Sequence, residues 1–153
     1  MNRENYERLW GDTWGDLQRL GPVHRHQREA LVRLVQSLGA RTLCDVGCGS
    51  GENLAAFATI GGLTLTGTDI SDQGLSLARS RIPSARLIQL DIQAAALPEQ
   101  FDLVTSSQVV EHLLDDLSAL RNMGKMARQM GLGHDDVRPY AAFRDQDWAP
   151  SQL

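Results

Sequence analysis

The segment Asp45-Val46-Gly47-Cys48-Gly49-Ser50-Gly51 constrains this chain more than any other. It includes the end of a short, nearly continuous apolar run, Thr42-Leu43-Cys44-Asp45-Val46, of the kind expected of a strand buried on both faces of a parallel sheet. A helical pattern over residues 52–60 follows, holding Leu54, Ala55, Ala56 and Phe57 before Gly61-Gly62 breaks it. Glycines at such a strand–helix turn permit positive φ and let a ligand approach the backbone with no Cβ in the way. The helix N-terminus behind them offers free N–H groups to an electron-rich partner. A nicotinamide dinucleotide fingerprint would place Gly or Ala at position 52. The residue there is Glu52 and the third glycine is Gly51, which weighs against that cofactor.

The rest of the chain repeats the strand–helix alternation. Leu63-Thr64-Leu65-Thr66-Gly67-Thr68 reads as a second strand with Asp69 at its end. Ser71 is a good N-cap for a helix containing Leu75, Leu77 and Ala78, and Pro83 closes it. Arg86-Leu87-Ile88-Gln89-Leu90 is a third strand ending at Asp91, and Phe101-Asp102-Leu103-Val104-Thr105-Ser106 a fourth. The next helix is expected from about Val110 through Leu113, Leu117 and Leu120. Such alternation requires right-handed crossovers and a parallel sheet, so the fold class is α/β. Two helices precede it: residues 5–20, with Tyr6, Leu9, Trp10, Trp14 and Leu17, and residues 23–38, with Leu31, Leu34, Val35 and Leu38 as the buried face. Gly39 falls where a C-terminal cap belongs.

Composition narrows the function classes. With 153 residues, 42% hydrophobic and 22% charged, the chain is a globular domain that needs no disulfide framework. Cys44 and Cys48 alone form neither a zinc ligand set nor a disulfide scaffold, and no metal is expected. A formal charge of −4 gives no field for nucleic acid. No apolar stretch approaches the roughly 20 residues of a membrane helix. The N-terminal residues have no apolar signal region, so a cytoplasmic protein is expected. His24 and His26, flanking Arg25, have no third ligand nearby and suit a polar helix end near a cofactor mouth better than a metal site.

Two acids fall at strand ends. Asp69 lies 20 residues past Gly49, where a carboxylate accepts hydrogen bonds from ribose hydroxyls. Asp91 is placed to accept from an adenine amino group, or else to cap the segment that follows. Both would project from the carboxyl edge of the sheet, where open α/β folds bind ligands.

In four ordered stretches the chain resembles the class I S-adenosylmethionine-dependent methyltransferases, in the small-molecule branch that includes ubiquinone- and menaquinone-biosynthetic enzymes. They are Asp45 to Gly51, Gly67-Thr68-Asp69-Ile70-Ser71, Leu90-Asp91-Ile92, and the run from Phe101 to His112 ending Ser107-Gln108-Val109-Val110-Glu111-His112. The resemblance implies a Rossmann-like parallel sheet, S-adenosyl-L-methionine as cofactor and a small-molecule methyl acceptor. Gly47, Cys48, Gly49 and Gly51 would cradle the methionine part, with Asp45 bonding its amino group or fixing the loop from behind. Asp69 would hold the ribose, Ile70 would cover the adenine, and Asp91 with the Ile92 backbone would read the adenine edge. Ser107 and Gln108 would line the pocket near the sulfonium. His112 would act as a base or orient the acceptor, or else be a structural histidine at a helix start. Asp102 is expected to set up the strand entry and touch no ligand. The N-terminal helices would cap the pocket, with Tyr6, Trp10 and Trp14 either meeting the acceptor or packing on the sheet domain.

This organisation divides the chain into a helical cap over residues 1–39, a cofactor-binding core over 40–128 and a divergent tail over 129–153. The family's sheet usually has seven strands, and four are legible here, so the sheet is expected to be incomplete at its C-terminal end. A one-nucleotide slip near Gln129 would turn Met130-Gly131 into a tryptophan followed by a strand-like run. The tail is therefore expected to be out of frame, against the alternative of a short natural variant. The function expected is a methyltransferase, and the alternative a truncated, non-catalytic remnant that still binds the cofactor.

Overall fold

The computed structural model describes residues 22–128. The expected helix over residues 5–20 and the tail over 129–153 lie outside the described residues. Helix α1 spans Pro22–Leu38, β1 Thr42–Val46, α2 Glu52–Phe57, β2 Thr64–Asp69, α3 Asp72–Arg81, β3 Arg86–Gln89, β4 Leu103–Ser106 and α4 Asp116–Met126, with a 3₁₀ turn at Val110–His112. The strands form one parallel sheet in the order β3-β2-β1-β4. The chain steps outward from β1 to β3 and then returns to the other side of β1. The switch point where ligands of open α/β sheets bind thus lies at the carboxyl ends of β1 and β4.

Alternation along β1 feeds two cores. Leu43 packs with Val35, Leu54, Phe57, Leu65 and Leu75, which come from α1, α2, β2 and α3. Cys44 and Val46 point the other way and pack with Ile92, Phe101, Ala119, Met123 and Met126. A strand buried on both faces has no polar face to show, which is why β1 reads as a continuous apolar run. Gly67 on β2 is required by packing: a Cβ there would sit 2.6 Å from Leu54 Cδ1, 2.8 Å from Cys48 Sγ and 2.9 Å from Leu87 Cδ2. The core therefore closes directly over its backbone.

Three expectations are corrected in detail. Helix α2 ends at Phe57 rather than near Ile60, because Thr59 N and Ile60 N donate to the carbonyls three residues back, at 3.2 and 2.9 Å. The apolar set of α1 does not all turn inward. Val35 is buried and Leu31 half-buried, whereas Leu34 and Leu38 are exposed. The helix is rolled so that Leu31 and Val35 meet the core, which places His24, Gln27 and Arg28 on the same stripe, one to two turns earlier.

The third correction concerns the segment after β4. It is not one helix: the 3₁₀ turn stops at His112, and α4 starts afresh with Asp115 as its cap, accepting from Ser118 N at 2.9 Å. Leu114 and Leu117 are 86% and 61% exposed, and the buried face of α4 is Ala119, Asn122, Met123 and Met126. Beyond α4, Phe101 N donates to Met126 O and Arg128 N donates to Phe101 O, forming a parallel bridge between Phe101 and Ala127.

Candidate functional site

The glycine loop after β1 folds over the end of β2. Gly47 N and Cys48 N both donate to the Thr68 carbonyl, at 2.7 and 2.9 Å. Gly49 N donates to Asp69 Oδ2 at 2.7 Å, and Ser71 N donates to Asp69 Oδ1 at 2.9 Å. Asp69 therefore braces the glycine loop with one oxygen and the start of α3 with the other. Ser71 caps α3 as expected, its Oγ accepting from Gly74 N at 3.0 Å. Gly47 sits at φ +74, and a Cβ there would lie 2.3 Å from Val109 Cγ2. The segment after β4 is thus seated directly on the glycine loop, and only a glycine leaves room for it.

Asp45 lies beneath this loop, almost wholly buried. Its Oδ1 accepts from Thr105 Oγ1 at 2.8 Å, while its Oδ2 is buried with no hydrogen-bond partner. Burial pushes its carboxyl up to about 7; the Thr105 hydroxyl pulls it back down and the charge of Asp69 adds to the rise. Cys44 is core, its thiol pushed up to about 12 by burial first and by the charge of Asp45 second. Cys48 is raised by burial and then by Asp45 and Asp69. Neither thiol is the depressed kind that does nucleophilic chemistry.

Across the cleft, Asp91 both lines the cavity and caps the turn after it. Its Oδ1 accepts from Gln93 N at 2.9 Å and from Gln93 Nε2 at 3.3 Å. Ile92 is buried, and its carbonyl accepts from Asn122 Nδ2 at 2.8 Å. Gln108 adopts φ 59, a left-handed conformation uncommon outside glycine, at the point where the chain leaves β4 and turns across the cleft. Asp102 holds the entry to β4: its Oδ2 accepts from Arg41 N and Thr42 N, both at 3.0 Å, and its N–H donates to Thr42 Oγ1 at 2.9 Å. It does not line the cleft.

One cleft collects most of the residues expected from sequence. Gly47, Cys48, Asp69, Ile70, Asp91 and Ile92 line it from β1, β2 and β3. Ser107, Gln108 and His112 line it from the segment after β4. Asp45, Gly49 and Gly51 do not line it; Gly49 acts through its bond to Asp69. Of the polar helix end expected near it, His24 lines the cleft, whereas Arg25 and His26 do not. No group of three or more His, Cys, Asp or Glu able to hold a metal is found among the described residues.

The sequence reading missed Gln27, Arg28, Asn53, Gln93 and Val109 in the wall. The spacing of His24, Gln27, Arg28 and Leu31, all on one face of α1, was an available signal. Arg28 is the one arginine or lysine in the wall among the described residues. It pairs with Glu52 at 3.9 Å, and Glu52 pairs with Arg81 at 2.9 Å. Arg81 also donates to the carbonyl of Ser50 inside the glycine loop. Glu52, which spoils a dinucleotide fingerprint, here joins the first helix to the loop.

A family described as "Methyltransferase domain" matches residues 44–133, more than half of the chain. The chain belongs to this methyltransferase domain family. Among curated relatives, a ubiquinone biosynthesis O-methyltransferase of Nitrosomonas europaea is 26% identical over 143 residues, covering 86% of this chain and 59% of the relative. Among solved structures, the N-methyltransferase NodS of Bradyrhizobium japonicum WM9, in complex with S-adenosyl-L-homocysteine, is 25% identical. It superposes with a TM-score of 0.72 over 82% of this chain and 67% of NodS. CalS10 of Micromonospora echinaspora, an amino pentose methyltransferase bound to S-adenosylmethionine, is 27% identical with a TM-score of 0.61, covering 82% of this chain and 51% of CalS10. The chain spans less than two thirds of the length of the first curated relatives it matches. The methyltransferase domain has the Rossmann-like parallel sheet expected of it, with helices on both faces.

Proposed function

We propose that this chain binds S-adenosyl-L-methionine and acts as a methyltransferase on a small-molecule acceptor, at oxygen, nitrogen or carbon. The observation that carries the reading is the convergence of a glycine loop, two strand-end carboxylates and the segment after β4 on one cleft at the switch point of the sheet. The residues fit the cofactor's chemistry. The orphaned, buried Oδ2 of Asp45 lies behind the cleft wall and suits the cofactor's amino group, reached through a water, or fixes the loop from behind. Gly47 and Cys48, which reach the cleft, would cradle the methionine part, with Gly49 and Gly51 shaping the loop behind them, and Arg28 is the cation at hand for its carboxylate.

On this reading Asp69, at the end of β2 and in the cleft wall, holds the ribose hydroxyls. Ile70 covers the adenine, and Asp91 with the Ile92 backbone reads its edge. Ser107 and Gln108 line the space near the sulfonium. When bound, the cofactor supplies an already activated methyl group, so the chain's contribution is mainly alignment and exclusion of water. His112 takes a proton from an acceptor that must lose one, or orients it. The O- and N-methyltransferase names of the relatives support a small-molecule acceptor without choosing its atom.

No helix among the described residues is long and apolar enough to cross a membrane. Two free, buried thiols suit a reducing compartment, and we place the protein in the cytoplasm. The test is release of S-adenosylhomocysteine over a panel of phenol, quinol and amino-sugar acceptors. Turnover on one of them that falls in His112→Gln, with cofactor affinity unchanged, is expected. Turnover unaffected by that change would remove His112 from the chemistry.

A further inference from the structure

The two halves of the cleft are joined by one side chain. Gln93 lies two residues after Asp91 and faces the same cleft. Its Nε2 donates to Asp91 Oδ1 at 3.3 Å, beside its own backbone N–H at 2.9 Å. Its Oε1 accepts from Leu114 N at 2.9 Å and Asp115 N at 3.0 Å, more than 20 residues away. Those two amides belong to the break between the 3₁₀ turn that ends at His112 and helix α4. At a break of this kind the N–H groups have no partner within the helix, and one amide oxygen satisfies both. Leu113, next to the stapled pair, lines the cleft together with His112.

The chemistry of the side chain matches both ends. An amide presents an acceptor to two N–H groups and a donor to a carboxylate at the same time; no other side chain of that length does both. Asp91 is in turn fixed in place by Gln93, and Ile92 between them is fixed by Asn122 of α4. The loop after β3 and the turn after β4 are therefore one hydrogen-bonded unit.

We propose that Gln93 is a positioning residue that couples the adenine-facing loop at Asp91 to the turn carrying His112, so that cofactor binding sets the acceptor side of the cleft. The assignment of Asp91 to the adenine rests on the function proposed above, whereas the staple itself rests on the hydrogen bonds. Engaging Asp91 orders Gln93, Gln93 holds the amides of Leu114 and Asp115, and these hold the turn that carries His112. The cofactor then binds before the acceptor.

Amide hydrogen exchange and ¹H–¹⁵N spectra of the full chain test this, with S-adenosylhomocysteine as the probe. In the ligand-free protein, Gln93→Ala is expected to speed exchange of Leu114 and Asp115 by about tenfold or more while amides in β1 stay unchanged. Gln93→Glu keeps the acceptor for those amides but sets a second carboxylate against Asp91. It is expected to leave their exchange slow while weakening S-adenosylhomocysteine about fivefold or more. In the wild type the probe is expected to shift both amide signals, and in Gln93→Ala to shift neither.

Unchanged exchange of Leu114 and Asp115 in ligand-free Gln93→Ala would overturn the staple. A probe response of those amides that survives Gln93→Ala would overturn the coupling. A wild type that does not bind the probe at all would overturn both the cofactor reading and the ordered binding, while exchange in the ligand-free protein would still decide the staple.

Discussion

Asp45 is the carboxylate, among the described residues, whose environment departs most from its chemistry. Its carboxyl is raised from an ordinary 3.8 to about 7, chiefly by burial. A carboxyl that binds its proton more tightly when folded favours the folded state at low pH, and the advantage is lost as pH rises between about 4 and about 7. Asp45→Asn, which keeps an oxygen for Thr105 and removes the charge, is therefore expected to stabilise the ligand-free protein at pH 8. The gain is up to about 4 kcal/mol and vanishes near pH 4; urea unfolding at the two pH values checks it. Equal gains at both would mean that folding leaves the proton affinity of the carboxyl unchanged, against the rise that burial imposes. The thiols make a second test. Cys44 and Cys48 are buried, with raised ionisation, so an aromatic disulfide reagent at pH 8 should find almost no fast thiol in the native protein and two after unfolding.

Between elements, the contacts that set the site are few and identifiable. Asp102 ties the start of β4 to the start of β1 by accepting from Arg41 N and Thr42 N. Asp102→Ala leaves those groups without it and removes the pairing with Arg128, so a loss of about 1–3 kcal/mol in urea unfolding is expected. A loss near zero would show that water replaces the carboxylate at no cost. Much of the element order was readable because β1 and β2 are short, buried runs of Leu, Val and Thr, with Gly47 following the one and Asp69 ending the other at the sheet's carboxyl edge. Two features were not readable, for physical reasons. The amides at the break after His112 are satisfied by Gln93, a partner distant in sequence that no local periodicity can show. The roll of α1 turns Leu34 and Leu38 outward, and a helix with two adjacent apolar stripes does not state which one meets the sheet. Gln27 and Arg28, on the same stripe as His24, were not readable as part of the wall because polar residues on a helix ordinarily mean solvent.

In the whole molecule, the described parallel sheet brings the glycine loop, Asp69, Asp91 and the segment after β4 to one edge, and most of that site was legible as four ordered motifs. What the motifs did not convey is how the pieces are held: the loop by Asp69, the loop after β3 by Asn122 and Gln93, and α1 by the pair of Arg28 with Glu52. The family is that of methyltransferase domains, and the central claim is that this cleft takes the family's cofactor. Calorimetric titration with S-adenosylhomocysteine, on the wild type and on Asp69→Asn of matched circular dichroism, tests it most directly. The account predicts saturable binding at one site per chain, weakened about tenfold or more by Asp69→Asn. Absence of heat with S-adenosylhomocysteine, or an affinity indifferent to Asp69, would contradict it.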